Sequence, residues 1–118
     1  MHLTQNQFDE LKTIVDIGGT GNNTIYGGGG WDVIYGESGT NVLYGGVGSD
    51  TFVFGFGTDY IMDFVLGVDR LLNRDYGELT FEQAGSYVCV DGFYGTAYLA
   101  NTDLNSVLIA DANGSLWA

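Results

Sequence analysis

The chain has 118 residues, room for one domain and a modest core, and carries 20 glycines and no proline. Fifteen acids face three Lys and Arg, a formal net charge of −12, which speaks against nucleic acid or an anionic membrane as partner and favours a cation. With 45% of residues apolar and 14% aromatic, the chain can build a core instead of remaining disordered.

Single cysteine and histidine residues, Cys89 and His2, exclude an intrachain disulfide and leave zinc, copper or iron without their usual ligands. They also leave a Ser-His-Asp set with only the terminal His2 to use. Cys89 fits a small buried hydrophobe. No apolar run approaches the roughly 18 residues of a membrane-spanning helix. The opening residues lack the basic and apolar regions of a cleaved secretory signal.

Residues 1–17 form the first expected unit. Thr4 and Gln7 make a capping box, and Phe8, Leu11 and Ile14/Val15 recur at helical spacing. A short amphipathic helix covering one end of the repeats is expected, with a strand over Thr13 to Ile17 as the alternative.

From Gly18 the chain falls into nine-residue blocks: 18–26, 27–35, 36–44, 45–53 and 54–62, then, after the extra Asp63, 64–72. The fourth column is glycine throughout. The sixth is Asn23, Asp32, Asn41, Asp50, Asp59 and Asp69, always a short oxygen-bearing side chain. The eighth is Ile25, Ile34, Leu43, Phe52, Ile61 and Leu71, always large and apolar. Each block therefore reads as a polar turn leading into a short strand whose middle residue points inward. A flexible linker has no cause to keep either column.

These blocks resemble the Gly-Gly-x-Gly-x-Asp-x-U-x nonapeptide of the RTX (haemolysin-type) calcium-binding repeats, where U is large and apolar. The resemblance spans residues 18 to about 72. It implies an all-β fold, a right-handed parallel β-roll with two blocks per turn, and calcium ions in the turns between block n and block n+2. Calcium takes six to eight oxygens from carboxylates and carbonyls, which glycine-rich turns ending in Asp can present together. Applied here, the resemblance stacks Asp32, Asp50 and Asp69 on one edge and Asn23, Asn41 and Asp59 on the other. Gly28, Gly30, Gly46 and Gly48 belong to the turns of the first edge. The Asn edge carries less charge and should hold calcium more weakly. Without a cation the stacked carboxylates repel, so folding should depend on calcium binding.

Residues 73–118 read as a β-rich C-terminal cap, with strands at Leu79–Phe81, Ser86–Val90, Thr96–Ala100 and Ser106–Ala110 and turns at Asp91-Gly92, Gly95 and Asp111–Gly114. The segment 58–71 and these strands are similar to the region commonly found C-terminal to RTX repeats, where an uncleaved type I secretion signal often lies. Tyr26, Tyr35 and Tyr44 repeat in the ninth column and should face outward, giving an apolar stripe suited to a homo-oligomer or filament. The expected function is a non-enzymatic calcium-binding module of a secreted or cell-surface protein. The alternatives are a self-assembling fibre subunit and the targeting or polysaccharide-binding tail of a secreted enzyme.

Overall fold

The computed structural model of the chain describes residues 13–54, 56–74, 78–93 and 95–118. Successive blocks feed alternate sheets. Strands β1 (Thr13–Ile17), β3 (Trp31–Tyr35), β5 (Thr51–Phe54) and β7 (Arg70–Asn73) form one sheet in that order, all parallel. The second sheet contains β2 (Thr24–Tyr26), β4 (Thr40–Tyr44) and β6 (Gly57–Ile61), also parallel. It continues through β10 (Gly95–Ala100), β9 (Tyr87–Asp91) and β8 (Thr80–Ala84).

The alternation of side chains explains why the columns differ in chemistry. Columns six and eight lie two residues apart and so face the same way. The eighth-column Ile34, Leu43, Phe52, Ile61 and Leu71 are fully buried between the sheets. The sixth-column Asp32, Asn41, Asp50, Asp59 and Asp69 are buried with them, at the point where each turn enters its strand. The column between them faces outward, which places Val33, Val42, Thr51 and Tyr60 on the outer faces at intermediate exposure. Asp63 lengthens the spacing between the last two turns to 19 residues, yet Phe52 still pairs with Leu71.

The helix expected before Thr13 lies largely outside the described residues; Thr13–Ile17 is a strand, β1, paired with β3.

At the other end, β8, β9 and β10 form an antiparallel meander. Its last strand docks parallel on β6, pairing Gly95-Thr-Ala-Tyr-Leu99 with Gly57-Thr-Asp-Tyr-Ile61. The strand β10 thus occupies the place of another block, with buried Ala97 where a column-six acid would stand.

Residues Ser106–Ala110 are helical, not a strand: α1 runs from Leu104 to Asn113. The Asp103 carboxylate accepts from the Ser106 N–H, Gly114 turns left-handed at φ 84°, and Val107 and Ala110 lie three apart on the buried side. These end signals override the β-branched character of Val107 and Ile109. The tail beyond α1 then pairs with the outer edge of β7, Leu71 N–H donating to Leu116 O and Ala118 N–H to Leu71 O, each at 2.8 Å. Cys89 also departs from expectation: Val88 and Val90 take the inward positions, and Cys89 faces the other way beside Tyr98, half-buried.

One core joins repeat and C-terminal segments, with Ile34, Phe52 and Leu71 in the same cluster as Val88, Leu99, Val107 and Leu116. Among the described residues no helix is long and apolar enough to cross a membrane.

The neighbouring leucines of β7 test this arrangement, because Leu71 is fully buried and Leu72 is 40% exposed. Leu71→Ala is expected to cost about 2–5 kcal/mol in urea unfolding and Leu72→Ala under about 1 kcal/mol. Equal losses would contradict the inward and outward assignment.

Candidate cation site

The turn before each strand positions the site. Gly46 and Gly48 are left-handed, at φ 82° and 104°, a conformation a side chain at those positions would strain. Space is a second constraint. A Cβ on Gly46 would land on the carbonyl oxygen of Gly28, and one on Gly48 on that of Gly30. Successive turns on this edge therefore stack backbone on backbone, with the Gly28 and Gly30 carbonyls directed at the turn one level on. The Asp32 carboxylate reaches back to crowd Gly27, and Asp50 crowds Gly45 in the same way.

On this edge the acids form a ladder. The Asp32 N–H donates to Asp50 Oδ1 at 2.9 Å, and the Asp50 N–H donates to Asp69 Oδ1 at 2.9 Å. Asp69 spends its other oxygen on the Val65 N–H, also at 2.9 Å. Asp50 Oδ2 is different: it is buried and has no hydrogen-bond partner among the described residues. A buried carboxylate oxygen left without a donor is costly in the absence of a cation. The Gly28 and Gly30 carbonyls and the Asp32 and Asp50 carboxylates are a hard-oxygen donor set that suits calcium. Among the described residues no three His, Cys, Asp or Glu side chains cluster at one point; the acids are spaced one turn apart, with backbone carbonyls between them.

On the other edge Asn23, Asn41 and Asp59 stack at the same 18-residue spacing. Asn41 Oδ1 accepts from the Asn23 N–H at 3.1 Å, and Asn41 Nδ2 donates to Asp59 Oδ1 at 3.1 Å. Asp59 Oδ2 is buried without a partner among the described residues. The two column-six sets expected from the sequence are thus each brought together, on opposite edges.

Burial governs the charges. It pushes the Asp50 carboxyl up to about 8, against the Asp32 N–H that lowers it, and the Asp32 and Asp69 carboxyls add to the rise. Burial likewise lifts Asp59 to about 7, opposed by the Asn41 amide and aided by Glu37. Asp69 is also raised, mainly by burial, while its two N–H partners hold it down.

One contributor was hidden in the sequence. Asp63, the residue inserted between blocks, accepts from the Gly45 and Gly46 N–H groups at 2.8 and 2.9 Å and so pins the turn before Asp50. Its only sequence signal is its place 18 residues after Gly45.

A family model described as the RTX calcium-binding nonapeptide repeat, in four copies, matches residues 17–43 and 36–61, which include Asn23, Asp32, Asn41, Asp50 and Asp59 but not Asp63 or Asp69. No curated protein matches the chain. Among solved structures, the solution structure of the AlgE6R3 subunit from the Azotobacter vinelandii mannuronan C5-epimerase is similar at 21% identity. That likeness covers 85% of this chain and 77% of the other, with a TM-score of 0.33.

The raised carboxyls predict an unusual pH response. A carboxyl that holds its proton more tightly folded than unfolded adds stability at low pH, and this is lost as pH climbs from about 4 towards 8. In chelator, the urea midpoint is expected to be higher at pH 5 than at pH 8. In excess calcium the order should reverse, since the ion binds the deprotonated form. Equal midpoints in chelator would show that these carboxyls do not titrate in that window.

Proposed function

We propose, from the match of residues 17–61 to the RTX calcium-binding nonapeptide repeat, that the chain is a non-enzymatic, calcium-gated module of a secreted protein. The carrying observation is the buried Asp32–Asp50 pair, with Asp50 Oδ2 lacking a donor and the Gly28 and Gly30 carbonyls aimed at the next turn. In this reading residues 18–72 form a right-handed parallel β-roll with two blocks per turn. Residues 1–17 and 73–118 close its two ends.

Asp32, Asp50 and the carbonyls of Gly28 and Gly30 hold the ion, and Gly46 and Gly48 leave room for that approach. Calcium bound there supplies the positive charge that cancels buried carboxylates. Asp69 and Asp63 brace the site by fixing the Asp50 and Gly45 N–H groups. Because the two acids come together only when β3 and β5 pair, binding energy becomes folding energy. At calcium about 100 times above Kd the gain is about 2.7 kcal/mol. Extracellular modules bind at about 10⁻⁴ to 10⁻³ M, so the chain would stay loose at low calcium and fold after type I-like export.

Far-UV circular dichroism during calcium titration of chelator-stripped protein tests this. A cooperative gain of β signal near millimolar calcium, not reproduced by magnesium, is expected. The near-isosteric Asp50→Asn should move the midpoint at least about tenfold higher, because it removes a charge from a buried ligand. A spectrum indifferent to calcium would overturn the proposal.

A second reading, the polysaccharide-binding tail of an enzyme, draws on one observation. A groove of about 350 Å³ along the first sheet is lined by Trp31, Asp32, Ser49, Thr51 and Arg70 among others, with Trp31 53% exposed. An aromatic face, two hydroxyls and a planar donor fork suit a sugar ring. Retention on a polysaccharide column, lost in Trp31→Ala, would support it, and passage of the unmodified protein without retention would remove it. Filament formation, the other alternative, would use the outer tyrosines, of which Tyr26 stacks on Tyr44 at 4.7 Å yet stays 69% exposed.

A further inference from the structure

The two edges share a backbone plan but not a chemistry. Asp50 and Asn41 occupy the same column on opposite edges, and each uses Oδ1 to accept from a column-six N–H 18 residues earlier. The difference lies in the other atom of the side chain. In Asp50 it is the partnerless Oδ2. In Asn41 it is Nδ2, which donates to the Glu37 carbonyl at 3.3 Å and to Asp59 Oδ1 at 3.1 Å. The orientation of that amide is fixed by its neighbours, since only an oxygen can meet the Asn23 N–H.

Asn23 repeats the arrangement one level earlier. Its Nδ2 lies 3.2 Å from Asn41 Oδ1 and 3.4 Å from the carbonyls of Thr20 and Gly21. Turn carbonyls and one Asp59 oxygen, atom types that would coordinate a cation, are instead met by amide N–H groups. On this edge Asp59 Oδ2 alone stays buried without a partner among the described residues, and no second carboxylate of this column stands beside it. Charge is handled separately. Glu37, a non-glycine held at φ 65° in the turn, pairs with Arg74 at 3.3 Å. The Arg74 guanidinium lies 5.7 Å from the Tyr35 ring centre and 5.4 Å from that of Phe56. The column then ends, because β10 offers Ala97 opposite Asp59.

We propose that the Asn23–Asn41–Asp59 edge is a cation-independent latch, in which the Asn41 amide occupies the role that calcium has on the Asp32–Asp50 edge. This rests on the calcium-module reading and refines it. The expectation that the Asn edge holds ions more weakly gives way to one that it holds none. The latch keeps β2, β4 and β6 aligned when calcium is absent, and calcium completes the opposite edge.

Two measurements on the full chain test this. The first is amide hydrogen exchange in chelator, where the Asn23 and Val42 N–H groups, both bonded across this edge, should exchange at least about tenfold more slowly than those of Asp32 and Asp50. Equal exchange at the two edges would overturn the latch. The second is calcium stoichiometry by titration calorimetry. Asp59→Asn should leave the number of ions unchanged, and Asn41→Asp should add one by restoring a carboxylate pair with Asp59. A drop in stoichiometry in Asp59→Asn, or no gain in Asn41→Asp while Asp50→Asn still weakens binding, would overturn it. Undiminished binding in Asp50→Asn would instead count against the placement of calcium on the Asp edge.

Discussion

The structure depends on one constraint: oxygen-bearing side chains are buried at the head of each repeat strand and stacked one turn apart. Asp32, Asn41, Asp50, Asp59 and Asp69 are each no more than 2% exposed. Side-chain alternation forces this, because the residue two before the inward core position must also face inward. A carboxylate there needs donors, a proton or a cation, and the two edges answer differently. The Asp32 N–H satisfies one oxygen of Asp50, and burial raises that carboxyl's affinity for a proton. Glycines in the turns answer the same need, since side chains at Gly46 or Gly48 would occupy the space of the preceding turn's carbonyls.

A stack of identical turns also has to stop, and the chain ends each sheet by a different device. The second sheet stops by imitation: β10 supplies Gly95-Thr-Ala-Tyr-Leu99 in register with Gly57–Ile61 but with a methyl in the acid column. It is itself covered by an antiparallel hairpin. The first sheet stops at β7, whose outer edge is paired by the tail at Leu116–Ala118. Both devices protect open strand edges. Both also feed apolar side chains into the core of the repeats, so Leu99, Val107 and Leu116 stabilise the stack and its closing segments together.

Much of this was legible in the sequence, because the features concerned repeat. The nine-residue period places Ile34, Leu43 and Phe52 inside, and the resemblance to RTX repeats implies pairing by every second block. Features that occur only once were not legible. The α1 helix carries valine and isoleucine, which favour strands, and only the Asp103 and Gly114 end signals and the spacing of Val107 and Ala110 mark it. The mimicry of β10 is hidden because Ala97 breaks the very column that identifies a block, and a hairpin separates it from the other repeats. The role of Asp63 depends on a turn 18 residues earlier. The Asn edge was visible as a departure from the Asp pattern, but its meaning lay in which nitrogen meets which oxygen.

That last difference shows how a single atom divides the work of holding the repeats together. Asn and Asp are close in size, and both place an oxygen against the N–H of the preceding level. Replacing the second oxygen by NH₂ turns a group that needs a cation into one that supplies donors. On the proposed latch, an edge built with amides meets its oxygens once the chain is in place, Asp59 Oδ2 excepted, and its stability should depend only weakly on ions in solution. On the proposed reading, an edge built with carboxylates stays incomplete until an ion arrives, so its free energy would track calcium concentration by mass action. A chain with both has its turns aligned in advance along one side. The ordering entropy set against ion binding is then limited to the other side. The same asymmetry confines the repulsion of stacked carboxylates to one edge, while Arg74 offsets Glu37 on the other. In a protein with fifteen acids and three Lys and Arg, the proposed division puts the dependence on a cation where the backbone carbonyls of Gly28 and Gly30 point at the next turn.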